Sequence, residues 1–189
     1  MISRLLRTPL TWVVIVVLAA GSAFGLYWFQ PWKLVTDTVV AERLTTIETP
    51  AGPDSSSPPA STAARSPDDT PRTQSVLVSS GDFISHEHET SGSARIVRDQ
   101  AGRHRLELVG LATSNGPDLR VWLTDQPVLE GRAGWHVFDD GRWVELGQLK
   151  GNRGDQGYDI PADVDLSELT SVSIWCKRFA VSFGAAPLA

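Results

Sequence analysis

From Leu10 to Phe29 the chain runs for twenty residues without a charged side chain. A helix of that length rises about 1.5 Å per residue and spans roughly 30 Å, the thickness of a bilayer's hydrocarbon core. Trp12 lies near one end of the run, and Tyr27, Trp28 and Trp32 lie near the other. Amphipathic aromatics collect at both membrane–water boundaries, so the run reads as a span anchored at each end. Arg4 and Arg7 precede it, whereas Lys33 and Asp37 balance one another beyond it. The positive-inside bias therefore keeps residues 1–9 in the cytoplasm, places a signal-anchor helix at 10–30 and exports the rest. The competing reading is a cleaved signal peptide, with small residues at Gly21-Ser22-Ala23 as the cleavage site. The apolar run continues past Ala23 into an aromatic cluster, which favours a retained anchor. Both readings export the C-terminal part.

Residues 31–48 form a juxtamembrane segment in which Val40, Leu44 and Ile47 have helical spacing. Residues 49–74 contain no Val, Ile, Leu, Met or aromatic residue and are dominated by Pro, Ser and Thr. Such a segment cannot bury enough apolar surface to offset its conformational entropy, so it is expected to be a disordered linker and to act as a stalk.

From Ser75 to Ala189 the composition becomes that of one folded domain. Apolar and polar residues alternate in short runs such as Arg105-Leu106-Glu107-Leu108, Leu119-Arg120-Val121-Trp122-Leu123-Thr124 and Phe179-Ala180-Val181-Ser182-Phe183. Turn chemistry punctuates them, as at Asn115-Gly116-Pro117-Asp118 and Gly151-Asn152-Arg153-Gly154-Asp155. Period-two alternation with turns at such intervals predicts an all-β fold, an antiparallel β-sandwich of about eight or nine strands. This region has eleven Lys and Arg against sixteen Asp and Glu. An acidic domain without a basic patch is a poor partner for nucleic acid.

The chain has one cysteine, Cys176, and hence no intramolecular disulfide. Alternation along Ser173–Phe179 places Trp175, Phe179, Val181 and Phe183 on one face, with Lys177 the exception, and Cys176 on the other with Ile174 and Arg178. In that geometry the thiol lies off the aromatic core, and Arg178 with Lys177 favours the reactive thiolate. The alternative is an inert, buried cysteine packed as a small hydrophobe. His86 and His88 share one face if their segment is extended, and with Cys176 they make a candidate zinc or copper site; the alternative is a solvated strand end. Nucleophile-elbow, phosphate-loop, H-E-x-x-H, C-x-x-C and haem-attachment motifs are absent.

Along the domain stand, in order, Gly81-Asp82-Phe83, His88 with Ser91-Gly92-Ser93-Ala94, Gly116-Pro117-Asp118-Leu119 leading into Val121-Trp122-Leu123, and Leu149-Lys150-Gly151 with Gly154, Gln156, Tyr158 and Ile160-Pro161. The series closes on Val172-Ser173-Ile174-Trp175-Cys176 followed by Phe179, Val181, Phe183-Gly184 and Ala185. On these residues the domain resembles the electron-transfer DM-thirteen family. The resemblance implies an extracytoplasmic β-sandwich module in which Cys176 is the signature cysteine and carries a redox role. It implies an extracytoplasmic redox partner protein and specifies no cofactor, leaving haem, copper and zinc open. Two other functions compete: a protein- or glycan-binding module presenting Trp122, Trp135 or Trp143, and a mononuclear metal protein using His86, His88 and Cys176.

Overall fold

The computed structural model describes residues 9–47 and 75–189. Helix α1 spans Pro9–Phe29, and none of its residues is buried by protein. It is long and apolar enough to cross a membrane. It ends because Gln30 takes a left-handed conformation (φ 44°) and its N–H closes on the carbonyl of Leu26 at 3.0 Å. Pro31 then lacks the N–H that a further turn requires and starts a short 3₁₀ turn, Pro31–Val35.

The strands in chain order are β1 (Val39–Ala41), β2 (Val76–Asp82), β3 (Ile84–Ser85), β4 (Ser91–Arg98), β5 (His104–Ala112), β6 (Leu119–Thr124), β7 (Trp143–Gln148), β8 (Arg153–Asp159), β9 (Ser171–Cys176) and β10 (Val181–Pro187). They form two five-stranded sheets, ordered β1-β8-β5-β4-β2 and β3-β10-β9-β6-β7. All pairs are antiparallel except β1 with β8. The all-β sandwich expected from alternation is therefore present, with ten strands among the described residues, two of them only two and three residues long.

The alternation of β4 and β5 turns Ile96, Leu106 and Leu108 inward, where they share one core with Val121 and Leu123 of β6 and Val172 and Ile174 of β9. Each fully buried side chain of this kind contributes about 1.5–3 kcal/mol. A second, smaller cluster of Trp122, Trp175, Phe138 and Ala185 covers the outer face of the second sheet.

Beyond that 3₁₀ turn the juxtamembrane segment is not helical. Val40 pairs with Gly154 in β8, and the chain then crosses the outer face of the first sheet as a strap. Gly154 is required there: its φ is 99°, and a Cβ would collide with the carbonyl oxygen of Val40. Glu42 accepts hydrogen bonds from the backbone N–H of Gly157 and from Arg105 and Lys150. Thr45 donates twice to Glu107 Oε1, at 2.7 Å from its N–H and 2.6 Å from its hydroxyl. Arg95 completes the lock, bonding Glu107 Oε2 through Nε at 2.8 Å and the Thr45 carbonyl through Nη2 at 2.9 Å. The helical spacing of Val40, Leu44 and Ile47 thus served a strap whose side chains meet polar partners presented by β4, β5 and β8. The expected stalk, residues 49–74, lies outside the described residues. Ile47 pairs with Ser75, so that segment leaves and re-enters the domain at one place. Residues 30–38 connect α1 to the first strand of the sandwich.

Glu107 is completely buried, and among the described residues its charge is balanced only by Arg95. Glu107→Ala strands the guanidinium and removes the acceptor of Thr45, and is expected to cost about 3 kcal/mol. Urea unfolding of the full chain reads this as a lowered midpoint; a loss below about 0.5 kcal/mol, as at an ordinary surface position, would show that the strap is held by other contacts.

Candidate functional site

Strand β9 lies between β10 and β6, and all six of its residues are buried. Val172, Ile174 and Cys176 point into the main core, while Trp175 points outward into the second cluster. Alternation predicts Trp175 in the main core with Val181 and Phe183 and Cys176 off it; instead Cys176 joins Val181 and Phe183 there and Trp175 leaves it. The physical reason is that residues 177–180 form a turn, so the period-two count does not carry from β9 into β10. Phe179, expected in the core, is 42% exposed.

Cys176 ends β9, opposite Val181 of β10 and Leu119 of β6, and has no solvent exposure. A turn through Lys177, Arg178, Phe179 and Ala180 closes over it. Ala180 takes φ 49°, Phe179 N–H bonds the Cys176 carbonyl at 3.2 Å, and Lys177 N–H bonds the Asp118 carbonyl at 2.9 Å. Burial pushes the thiol pKa up. The backbone amides of Phe179, Arg178 and Asp118 oppose that shift without reversing it, and the Asp118 carboxylate adds to it. Burial thus works against the thiolate that the neighbouring cations were expected to favour.

The Arg178 side chain points elsewhere. Its guanidinium donates to the carbonyls of Tyr27 and Trp28 and lies 5.2 Å from the Trp28 ring. Those carbonyls end α1, where the helix dipole favours a cation. Phe179 stacks on Phe29 at 6.0 Å. The turn that seals the thiol is thus also the turn that meets the end of the apolar helix. Lys177 extends away from the thiol to Glu145, at 3.3 Å.

His86 and His88 do not form one donor face, because residues 86–88 bend after β3. His86 turns onto Phe138, while His88 lies against Phe183 at 3.9 Å. Both ring nitrogens of His86 are occupied, Nδ1 by the Ser182 hydroxyl at 2.8 Å and Nε2 by the Leu129 carbonyl at 3.0 Å. Among the described residues no group of three or more His, Cys, Asp or Glu is arranged to hold a metal. The sequence's candidate donor set, His86, His88 and Cys176, does not fit zinc or copper.

Sequence reasoning did not find the aromatic column beside the cysteine. Trp143 of β7 stacks on Trp122 of β6 with ring centroids 4.1 Å apart and planes 5° apart. Trp122 stacks in turn on Trp175, at 5.0 Å and 23°. Trp143 is 41% exposed, Trp122 3% and Trp175 1%. The signal was present as tryptophans on three strands, but the column depends on the β7-β6-β9 pairing register. Of the tryptophans considered as a binding surface, Trp122 is core, Trp135 is half-buried and Trp143 is exposed.

With this geometry in place, the comparisons with known proteins fall on the same region. The pattern of the family described as electron transfer DM13 matches residues 82–188, and the chain belongs to that family. No curated protein and no solved structure matches it.

Burial pushes the pKa of His86 and of His88 down. An unfolded histidine titrates near about 6.5, so below that pH the unfolded chain takes up protons that the fold refuses. The stability linked to these histidines is complete above the unfolded value and falls as pH drops below it toward the lowered folded values. The melting temperature of the full chain is expected to fall between about pH 7 and pH 5, above the range in which unfolded carboxylates titrate. His86→Gln should flatten that slope; an unchanged slope in the variant would show that His86 is not the group responsible.

Proposed function

We propose that this chain is a membrane-anchored electron-transfer module that works outside the cytoplasm, with Cys176 as its redox group and a second envelope protein as its electron partner. The membership in a family described by electron transfer supports the class of activity. The observation that carries the assignment to Cys176 is the placement of the chain's one thiol, fully enclosed within the matched region beneath a turn docked on α1. The arginines at positions 4 and 7 support the orientation with the domain outside.

Enclosure bears on the kind of chemistry. Thiol–disulfide exchange needs a thiolate and an approach to sulfur along the disulfide axis. Burial of Cys176 works against both. One-electron transfer needs neither contact nor thiolate at rest. In that reaction the Cys176 thiol gives one electron to a one-electron oxidant on the partner and releases its proton, leaving a thiyl; a one-electron reductant and a proton restore the thiol. A binding role for the exposed Trp143 face is the second reading, favoured by the exposure of that indole alone.

Voltammetry of the full chain in lipid nanodiscs is expected to show a one-electron wave that disappears in both Cys176→Ser and Cys176→Ala. Two variants are needed because a hydroxyl in this core without a partner costs about 1–3 kcal/mol. A wave that survives in both folded variants, or no wave in the unmodified protein, would refute the role of Cys176.

A further inference from the structure

Trp143, Trp122 and Trp175 form a graded column, from an indole open to solvent through an almost buried one to one sealed in the domain. Both faces of Trp122 are occupied by indoles, one at 4.1 Å and one at 5.0 Å. Packing alone accounts for the contact, since stacked aromatic pairs are worth about 0.5–1.5 kcal/mol each. Packing does not account for the polar side of the column. Trp122 Nε1–H donates to Glu145 Oε2 at 3.3 Å. Glu145 is also held by Arg120 Nη1 at 2.8 Å and by Lys177 Nζ at 3.3 Å. The central indole therefore has a fixed proton acceptor, and the innermost indole, Trp175, is joined to Cys176 by a single peptide link. Indole is, with the phenol of tyrosine and the thiol of cysteine, the side chain that most readily loses one electron.

We propose that Trp143, Trp122 and Trp175 are a one-electron relay, with Trp143 as the surface port, Trp122 as the site where the radical rests and Glu145 as its proton acceptor. A one-electron oxidant at the exposed face of Trp143 takes an electron from that ring. Trp122 refills Trp143 with one electron and passes its Nε1 proton to Glu145, leaving a neutral indolyl radical; the oxidant has gained the one electron lost. A one-electron reductant and return of the proton from Glu145 reset the column. Trp175 is the next donor inward and links the relay to the strand that carries Cys176. That last connection rests on the electron-transfer role proposed above, whereas the relay from Trp143 to Trp122 does not.

Flash-quench oxidation of the full chain in nanodiscs, with a soluble ruthenium polypyridyl as the photo-oxidant, tests the relay. The unmodified protein is expected to give a fast-forming neutral indolyl radical. Trp143→Phe should remove the fast phase, Trp122→Phe should remove the neutral radical, and Trp135→Phe should leave both intact. Glu145→Gln should give the protonated indole cation radical in place of the neutral one. Because Trp143 is partly exposed, its variant keeps the test decisive if the Trp122 variant fails to fold. Traces from Trp143→Phe and Glu145→Gln that match the unmodified protein would overturn the relay. A Cys176 wave that persists at an unchanged rate in Trp143→Phe would overturn the connection from the relay to Cys176 while leaving the role of Cys176 standing. A missing Cys176 wave with the expected indole radicals would refute the cysteine and keep the relay.

Discussion

Burial of β9 on both faces is the constraint from which the rest of the domain follows. A strand between two neighbours presents alternate residues to opposite sides, and here neither side is left to water. The inner residues need the first sheet against them, which makes the fold a sandwich. The outer residues need a cover, which the loop with Phe138 and the edge strand with Trp143 provide. Cys176 and Trp175 are neighbours in sequence and lie on opposite faces, one in each core cluster. That division allows a sealed thiol and a solvent-connected indole column to sit one residue apart.

The same strand end ties the domain to the apolar helix. After Cys176 the chain must reverse to form β10, and the reversal places Arg178 and Phe179 against the end of α1. A guanidinium at the carbonyl end of a helix satisfies acceptors that have no partner within the helix. The strap adds a second attachment, from β1 on β8 to the Thr45–Glu107–Arg95 cluster. Movement of the helix end would be felt at the turn that closes over the thiol, because both share Arg178.

Much of this was legible in the sequence, and the failures have definite physical causes. The uncharged run 10–29 specified the helix, and the alternation in segments such as Leu119–Thr124 specified the sheets. Alternation within Ser171–Cys176 sets Val172, Ile174 and Cys176 against two serines and Trp175; the expected faces failed because the count was carried through Lys177–Ala180, a turn that breaks the period. The strap was misread because Val40, Leu44 and Ile47 carry a weak helical spacing, whereas its placement depends on Glu42 and Thr45 finding partners distant in sequence. His86 and His88 were grouped by assuming an extended segment, and the bend at 86–88 separated them. The tryptophan column depends on strand register across three strands, information that no local pattern carries.

The central claim is that Cys176 exchanges single electrons while remaining enclosed. Its most direct test compares two reagents on the folded full chain in nanodiscs: hexachloroiridate, a one-electron oxidant, and an aromatic disulfide that reports thiol exchange. The account predicts that hexachloroiridate oxidises Cys176 in the folded protein, whereas the disulfide reacts only once denaturant has opened the domain. Rapid reaction with the disulfide in the folded state, with no oxidation of Cys176 by hexachloroiridate, would contradict it.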